Sequence, residues 1–398
     1  MKNTLYLGFV FVLLISCSEK SDPTFDEENF TSIFDNNQFT VAHYPIDFKQ
    51  TADGGYLILG EKRIPSSNFR GIYLMKVDKM GKFVLAADSI SNQFVNPVGE
   101  LMAIGEKYFF FCMDGFSLQT QLVEVDQHAE GIKIKPLQAG ITYPAAASMD
   151  GTDLLLLSYN HVDKKMALSK QDTAGAVTGS AEFDIGAGDD VEEPIINHFL
   201  RTGKRFPFQV GHISGGPYFF NGFENYTFSL VFTDLANDGA DGVVQGQQDD
   251  GGFSAIHPLG SNKFAASRFN FGDNYFLPNV NLVTNGTTTG SDLGGNTLPE
   301  LIHNAPVKII RTQIAAKNIL VFASDTKSKQ IGLFFYDEAT GEFLSSRYLG
   351  FSNPFEVANL VSTEDGGLAV CGTTYLAGRF PRICLIKISK GELAGQAN

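Results

Sequence analysis

The chain has no tryptophan among its 398 residues, and it has only 4 cysteines. It also lacks a His-Glu-x-x-His motif, a Cys-x-x-Cys pair and a glycine-rich phosphate-binding loop placed before a helix. None of the strong catalytic signatures is therefore present. We predict no catalytic residue and no cofactor, and the sequence favours a protein without catalytic activity while leaving that question open.

Basic residues are scarce relative to acidic ones. Lys and Arg together number 30 against 44 Asp and Glu, which makes the formal net charge −14. Residues 1–16 contain one charged side chain, Lys2, so their removal would change the formal net charge from −14 to about −15. Phosphate binding needs a basic face, so nucleic acid is excluded as a partner. The acidity favours solubility outside the cell.

The N-terminus contains an apolar run that is too short to span a bilayer as a mature helix. Lys2 precedes this run, which extends over Leu5–Ser16 and is typical of a secretory signal. The run ends in Leu-Ile-Ser before Cys17, which resembles the lipobox of bacterial lipoproteins. That resemblance implies an acylated Cys17 and an outer-membrane lipoprotein of the cell envelope, periplasmic or surface-exposed. The alternative is an ordinary signal peptide followed by an unrelated cysteine.

Residues 17–37 are polar and acidic at their start, which predicts a flexible tether. Acidic residues soon after Cys17 resemble the surface-export signal of Bacteroidota-type lipoproteins, although a simple solvated spacer has the same composition. Of the other cysteines, Cys371 and Cys384 lie in two strand-like runs joined by a short loop. We expect two packed thiols there rather than a disulfide, because apolar residues hold the matching positions near the N-terminus.

The two ends of the chain carry the same pattern. Residues 50–56 read Gln-Thr-Ala-Asp-Gly-Gly-Tyr and are followed by Lys76-Val-Asp78, and residues 362–368 read Ser-Thr-Glu-Asp-Gly-Gly-Leu and are followed by Lys387-Ile-Ser389. Prolines recur between them at about 50-residue intervals, for example at positions 45, 97, 144 and 194. From Asp53 to Asp365 is 312 residues, or six intervals of 52, so seven units fit.

Each unit is predicted to contain four short antiparallel strands, because β-rich, alternating runs are separated by glycine turns. Such units, repeated seven times, predict an all-β fold, the seven-bladed β-propeller. The Gln-Thr-x-Asp-Gly-Gly-Tyr pattern resembles the repeat of secreted Bacteroidota propeller proteins, which implies the fold and the compartment but no single activity. The strands predicted in the first unit are Ile46–Gln50, Tyr56–Glu61, Gly71–Asp78 and Lys82–Asp88.

The predicted organisation is a signal peptide (1–16), a tether (17–37) and the propeller (38–398). The last unit shows only three good strands, so we expect the N-terminal segment around Phe30–His43 to supply the fourth and close the ring. The best piece of that segment is Gln38–His43. The blades are predicted to start near residues 45, 97, 144, 194, 247, 306 and 354.

Residues 195–300 depart from the regular pattern and contain many aromatic residues and Gly/Asn/Thr-rich loops. Irregular loops on a rigid ring are frequent binding sites, whereas most of the Phe side chains should simply pack between blades. From this region we select Arg205, His212, Tyr218 and Tyr226 as candidate ligand-binding residues, because they combine charge, hydrogen bonding and aromatic surface.

One acidic loop raises the question of calcium. Asp234, Asp238 and Asp241 supply carboxylates in a spacing that resembles a calcium loop, but Ala236 and Gln245 occupy positions where ligands are expected. A plain Asp-Gly turn fits this segment better, so no metal is predicted and the three aspartates remain an alternative.

These observations lead to two functional hypotheses. The first is a lipid-anchored, non-catalytic binding or scaffold module for a protein or glycan partner of the cell envelope, attached to the membrane through its lipid alone. The second is a glycan-active hydrolase or lyase that uses carboxylates in the central channel, an idea that rests on analogy between folds. Two carboxylates about 5 to 9.5 Å apart in an open pocket would favour hydrolysis.

Overall fold

A computed structural model of the chain describes residues 29–35, 41–65, 67–87, 93–377 and 379–397. Strands account for 59% and helices for 6%, so the all-β prediction is confirmed. The predicted signal peptide, Cys17, the first part of the predicted tether and Gln38 lie outside the described residues.

The first half of the chain forms antiparallel meanders. Strands β2–β5 and β6–β9 share one eight-stranded sheet, and β10–β13 form a four-stranded sheet. The eight-stranded sheet contains β2 (His43–Gln50), β3 (Tyr56–Arg63), β4 (Arg70–Val77), β5 (Phe83–Ala87), β6 (Phe94–Ile104), β7 (Lys107–Asp114), β8 (Thr120–Asp126) and β9 (Lys133–Pro136). The next sheet contains β10 (Pro144–Asp150), β11 (Asp153–Asn160), β12 (Lys165–Gln171) and β13 (Val177–Asp184).

The second half continues in the same way, with a fifth strand added to one sheet. The fourth meander is β14 (Gln209–His212), β15 (Tyr218–Glu224), β16 (Thr227–Thr233) and β17 (Gly242–Gln245), and β21 (Thr287–Thr289) joins it in parallel. The others are β18 (Gly251–Gly260), β19 (Lys263–Asn270), β20 (Asp273–Asn281) and β22 (Asn296–Thr297), then β23 (Val307–Ile314), β24 (Lys317–Asp325), β25 (Ile331–Asp337) and β26 (Phe343–Leu349).

The last sheet combines both ends of the chain. It contains β27 (Phe355–Ser362), β28 (Leu368–Leu376), β29 (Phe380–Ile388) and β1 (Phe30–Phe34), and β1 pairs antiparallel with β29. The expectation of an N-terminal strand in this sheet is therefore confirmed, although the strand is β1 and not the predicted piece Gln38–His43. The tether prediction is wrong for Phe30–Phe34, because their backbone groups are paired with β29.

Helices are few and short in the described part of the chain. They are α1 (Asp189–Leu200), α2 (Lys390–Leu393) and two 3₁₀ helices, Gly290–Leu293 and Ala394–Ala397. None of these helices has the length and apolar character needed to cross a membrane. Pro194 lies inside α1, so the blade start predicted near residue 194 is wrong, and the first strand of that meander is β14.

Hydrophobic clusters lie between successive meanders, and one of them connects the first meander with the last. In that cluster Phe48 and Ile58 pack with Cys371 and Leu385. Both faces of most strands are buried, because side chains alternate between the two neighbouring sheets. In β11, for example, Leu154 and Leu156 belong to one cluster and Leu155 and Leu157 to the next. This explains why many of the strands are continuous apolar runs in the sequence.

Among the described residues the hydrogen bonds define six sheets, whereas the sequence predicted seven separate units. The difference arises at one place, where Gly71 of β4 pairs with Val95 of β6 and thereby joins two four-stranded meanders into one sheet. The first strands of neighbouring meanders also contact each other, as β2 contacts both β6 and β27.

The repeated sequence pattern corresponds to a repeated hydrogen-bonded turn. Asp53 Oδ1 accepts hydrogen bonds from Gly55 N at 2.9 Å and from Lys76 Nζ at 2.8 Å. Asp365 is bonded in the same way to Gly367 N and to Lys387 Nζ. Glycine is required after Asp53, because Gly54 has φ +79° and a Cβ on Gly55 would lie 2.4 Å from Val77 O.

Candidate functional site

The sheets present two ends to solvent, and the sequence candidates are divided between them. We call one end the α1 face: it carries α1, residues 201–208 and the turn residues 64–65, 67–69, 115–119, 161–164, 225–226 and 271–272. The opposite end, the Asp53 face, carries the turns that follow the first strands, such as 51–55 and 213–217. Arg205 and Tyr226 lie on the α1 face, whereas His212 and Tyr218 lie at strand ends on the Asp53 face.

His212 and Tyr218 belong to a polar cluster on the Asp53 face. His212 Nδ1 lies 2.7 Å from Asp150 Oδ1, and Asp150 Oδ2 accepts hydrogen bonds from Lys170 Nζ at 2.8 Å and Tyr218 OH at 3.1 Å. Lys170 also pairs with Asp153 at 3.0 Å, and the rings of His212 and Tyr218 stack with centroids 4.2 Å apart. These contacts connect the sheets of β10–β13 and β14–β17.

The pKa shifts in this cluster indicate a structural contact in which the charged groups compensate one another. Burial would raise the pKa of Asp150, but hydrogen bonds from Lys170 and His212 outweigh burial and lower it. The hydrogen bond from Lys170 to Asp150, with a second to Asp153, raises the pKa of the lysine. The charged groups therefore pair with one another inside the cluster.

Arg205 belongs to a different group on the α1 face, which we call the arginine cluster. Its members are one carboxylate and three guanidinium groups, contributed by Glu61, Arg70, Arg201 and Arg205. Glu61 stands near the end of β3, Arg70 begins β4, and the other two arginines follow α1. Arg201 Nη2 binds Glu61 Oε1, and each of these two side chains is only 10% exposed.

Specific contacts hold the end of α1 against the first two meanders. Asn96 donates from Nδ2 to Phe199 O at 2.9 Å, and its Oδ1 accepts from Arg70 N at 3.0 Å. Arg201 caps the helix in the left-handed region with φ 60°, and its Nη1 donates to His198 O at 3.0 Å. The helix itself is held by Val191, Ile195 and Phe199, which are buried in a hydrophobic cluster.

Positive charge dominates the arginine cluster. Burial would raise the pKa of Glu61, but the charges of Arg201 and Arg205 outweigh it and hold that pKa below its usual value. Arg205 is exposed to solvent, although neighbouring protein atoms displace part of the water around its guanidinium. This loss of water, reinforced by repulsion from Arg201, lowers the pKa of Arg205 to about 9. Arg205 therefore stays charged at neutral pH.

His198 lies beside these arginines and is buried. Its Nδ1 accepts a hydrogen bond from Phe206 N at 2.9 Å, which places the imidazole proton on Nε2. Burial, together with the charges of Arg205 and Arg201, lowers the pKa of His198 well below its usual value. The imidazole is therefore neutral and adds no further positive charge to the cluster.

The first strands carry charged groups that bear on the hydrolase hypothesis. Asp47 accepts hydrogen bonds from Phe48 N at 2.8 Å, from Leu101 N at 2.5 Å and from the side-chain amide of Asn359. Glu100 pairs with Lys49 at 2.6 Å. Both carboxylates are therefore engaged in contacts between neighbouring strands, which favours a structural role over general acid–base chemistry.

The three aspartates of the calcium alternative each accept a backbone hydrogen bond, two within their own loop and one from β13. Asp234 Oδ1 accepts from Ala236 N at 2.7 Å, Asp241 Oδ2 from Asp234 N at 2.8 Å, and Asp238 Oδ1 from Glu182 N at 2.9 Å. Within the described ranges, no group of three or more His, Cys, Asp or Glu side chains is arranged to hold a metal ion. These contacts agree with the Asp-Gly turn interpretation.

The aromatic residues of the middle region mostly pack in the core, as expected. Phe206, Phe220, Phe223 and Phe228 are buried in one cluster, whereas Tyr226 is 46% exposed. Cys112, Cys371 and Cys384 are buried free thiols, which confirms that no disulfide joins the last two.

Exposed apolar side chains mark the α1 face. In four successive meanders the turn between the second and third strands presents a large, solvent-exposed hydrophobic or aromatic side chain. These side chains are Phe116 (97% exposed), Val162 (76%), Tyr226 (46%) and Phe271 (68%). Single exposed hydrophobic residues are ordinary, but their recurrence at equivalent turns places them along one side of the molecule.

Sequence reasoning selected Arg205 but missed Glu61, Arg70 and Arg201. The ion pair of Arg201 with Glu61 joins residues 140 positions apart, and no motif or periodicity connects these segments. The recurring turn residues were also missed, although their position between predicted second and third strands was a usable signal.

No protein-family model matches the chain, and no curated protein matches it. Among solved structures, the β-propeller domain of the Trilobed protease from Pyrococcus furiosus is 10% identical, with a TM-score of 0.48 and coverage of 89% of this chain and 97% of that chain. The Dos1 propeller is 11% identical, with a TM-score of 0.42 and coverage of 87% and 92%.

A quinohemoprotein alcohol dehydrogenase from Pseudomonas putida is 10% identical, with a TM-score of 0.46 and coverage of 94% of this chain and 78% of that chain. Two of these three neighbours, the Trilobed protease domain and Dos1, are described as β-propellers. At these identities the similarity concerns the fold and carries no activity.

Proposed function

We propose that the protein is a seven-bladed β-propeller, anchored to the cell envelope through an acylated Cys17, that acts as a non-catalytic binding or scaffold module. Its partner is an envelope protein that docks on the α1 face. The lipid anchor and the outer-membrane location rest on the N-terminal sequence alone.

The meanders support the proposed count of seven blades. Within the described residues, β4 and β6 pair at one position, Gly71 with Val95, so β2–β5 and β6–β9 count as two blades. Each of the five remaining sheets counts as one blade, and one of them has β21 as a fifth strand. Closure of the ring is supported by the hydrophobic cluster that contains Phe48 and Leu385, one from each end of the propeller.

The proposed binding role rests on the exposed apolar side chains of the α1 face. Phe116, Val162, Tyr226 and Phe271 lie on four successive turns, so they span a broad arc rather than one pocket. Exposed hydrophobic surface of this kind is a mark of protein–protein contact. A glycan would be expected to stack on aromatic rings gathered in one place, and the sequence has no tryptophan. A protein partner therefore fits this arc better than a glycan.

The hydrolase or lyase alternative needs a carboxylate pair that is free to exchange protons with a substrate. The carboxylates considered for this role, Asp47 and Glu100, are held by Leu101, Asn359 and Lys49. We therefore favour binding over glycan hydrolysis.

The test compares partner capture by two matched triple variants of the full-length, lipidated protein. One variant carries F116S, V162S and F271S on the α1 face, and the control carries F83S, F343S and Y348S on strands β5 and β26, whose side chains are also exposed. Each protein is cross-linked to its neighbours in the producing cells. The proposal requires that the wild type and the control variant capture the same identified protein. Its retention by the α1-face variant would contradict the proposal.

The anchor is tested separately. C17S should release the protein from membranes and abolish incorporation of labelled fatty acid, since acylation requires the thiol. A C17S protein that still incorporates the label would exclude Cys17 as the acylated residue.

A further inference from the structure

The arginine cluster carries more positive charge than its single carboxylate can balance. Three guanidinium groups and Glu61 leave a formal charge of +2 (three minus one) in a chain whose net charge is −14. Like charges gathered at one site repel each other. Such a concentration of cations is maintained at a stability cost, unless an anion completes it.

Two of the three guanidinium groups also have buried donors that bond to nothing in the described protein. Arg70 Nη1 and Arg201 Nε are both buried and lack a hydrogen-bond partner. Arg201 is nine-tenths buried, and its other two nitrogens bind Glu61 and His198 O. Buried donors normally have acceptors, so these two nitrogens are available to an acceptor from outside the chain.

The third arginine makes the cluster accessible. Arg205 is exposed, and its side chain makes no hydrogen bond or ion pair within the described ranges. Arg205 directly precedes Phe206, whose N–H donates to His198 Nδ1 at 2.9 Å, and Arg201 Nη1 donates to the carbonyl oxygen of the same histidine. Arg205 therefore lies beside Arg201. A ligand arriving from solvent would therefore meet Arg205 before it reached the buried donors.

We infer that the arginine cluster on the α1 face is a binding site for an oxyanion, meaning a carboxylate, phosphate or sulfate group. Arg205 is the exposed ligand-binding residue, and Arg70 and Arg201 supply the buried donors. Guanidinium groups suit this chemistry because their planar fork offers two parallel N–H donors to a pair of oxygens. Glu61 pairs with Arg201 and competes with the oxyanion for the positive charge of the cluster.

A purely structural role would explain only some of the groups in the arginine cluster. The pair between Glu61 and Arg201 uses one arginine, and stacking on Tyr44 with a centroid distance of 5.0 Å occupies one face of Arg70. Neither contact employs Arg205, Arg70 Nη1 or Arg201 Nε.

The inference concerns the face proposed above for partner binding, but it does not require that partner. Calorimetric titration of the full chain with sodium phosphate, sodium sulfate or sodium acetate at pH 7 and constant ionic strength tests it directly. The variants are R205Q, R205K and E61Q. R347Q is the matched control, because Arg347 lies on β26, in a different sheet, and pairs with Glu392 of α2.

Saturable binding of at least one of these anions is expected for the wild type and for R347Q. R205Q should weaken binding by about tenfold or more, since it removes a charge-assisted contact. R205K should recover only part of that loss because lysine lacks the fork. E61Q should tighten binding, since it removes the competing carboxylate. Opposite effects of R205Q and E61Q would not arise from a structural role, and circular dichroism of each variant checks its folding.

The relative affinities for the three anions identify the chemical class of the ligand. Preference for acetate indicates a carboxylate from an acidic side chain or sugar acid, and preference for phosphate or sulfate indicates a tetrahedral group. Absence of saturable binding in the wild type, or equal binding by wild type and R205Q, overturns the inference. In that case loss of the partner by the F116S, V162S and F271S variant would still support the proposed function.

Discussion

Asn359 of β27 donates its side-chain amide to Asp47 of β2, and so connects the last meander of the chain with the first. The two residues occupy equivalent positions in the repeat, since 359 − 47 equals the 312-residue separation of Asp365 and Asp53. Asp47 is only 2% exposed and accepts two further backbone hydrogen bonds. One buried carboxylate thus holds three segments together.

Removal of this contact should destabilise the whole protein. N359A leaves Asp47 with one fewer donor in a buried site, so we expect a loss of about 1–3 kcal/mol in the free energy of unfolding. Urea unfolding should show a lower midpoint with an unchanged slope. N279A is the control, because Asn279 is exposed, and its effect should stay within about 0.5 kcal/mol. Equal midpoints for N359A and the wild type would show that this contact contributes nothing to stability.

Deletion of the N-terminal strand should also lower stability. Without residues 17–35, β29 loses its partner β1, and the ion pair of Arg382 with Asp35, 2.7 Å long, is lost as well. Arg382 is fully buried, so loss of the Asp35 carboxylate would weaken the compensation of a buried charge. We expect the thermal midpoint to fall by at least about 5 °C. The comparison is deletion of residues 18–28, for which the tether prediction expects no change, and identical midpoints for the two deletions would contradict the role of β1.

Asp325 should make stability fall as the pH rises from about 4 to about 7. Burial raises the pKa of Asp325 to about 7, and its Oδ1 accepts from Val357 N at 2.7 Å. Because the folded pKa is above the unfolded value near 4, the stabilisation is complete below pH 4 and is lost as the carboxyl ionises.

D325N keeps the acceptor but cannot ionise. Relative to the wild type, it should gain up to about 4 kcal/mol between pH 4 and pH 8 in urea unfolding. D337N is the matched control: hydrogen bonds from Thr340 lower the pKa of Asp337, so its stabilisation is present above pH 4 and is lost in acid. Parallel pH profiles for D325N and the wild type would disprove the assignment.

Asp53 should contribute stability at neutral pH that disappears in strong acid. Burial would raise its pKa, but hydrogen bonds from Lys76 and Thr51 lower it to about 2. The stabilisation is therefore present above the unfolded value near 4 and is lost as the pH falls through 2. D53N should be less stable than the wild type at pH 7, with a difference that shrinks toward pH 2.

The magnitude for Asp53 is modest because 41% of its side chain is exposed. A double-mutant cycle with K76M, read by thermal unfolding at pH 7, isolates the pair. A coupling energy of zero would show that the pair of Lys76 with Asp53 adds nothing to stability.

Much of the local structure was predictable because it depends on neighbours in sequence. The four strands predicted in the first meander agree with β2–β5 to within a few residues, since alternating apolar residues and glycine turns define them locally. Helix α1 was missed because Pro194 suggested a strand start. The four-residue spacing of Val191, Ile195 and Phe199 is a helical signal, and their burial lets the helix persist through the proline.

By itself, the sequence determined the all-β architecture, the repeat and its Asp-Gly-Gly turns, because each depends on residues within about 50 positions of one another. Only the tertiary structure decided which distant side chains meet. It separated His212 from Arg205 by the length of the strands, and it brought Arg201 to Glu61 across 140 residues. The reason is physical. The conformation of a turn depends on its own residues, whereas a contact between distant segments depends on how every sheet between them packs.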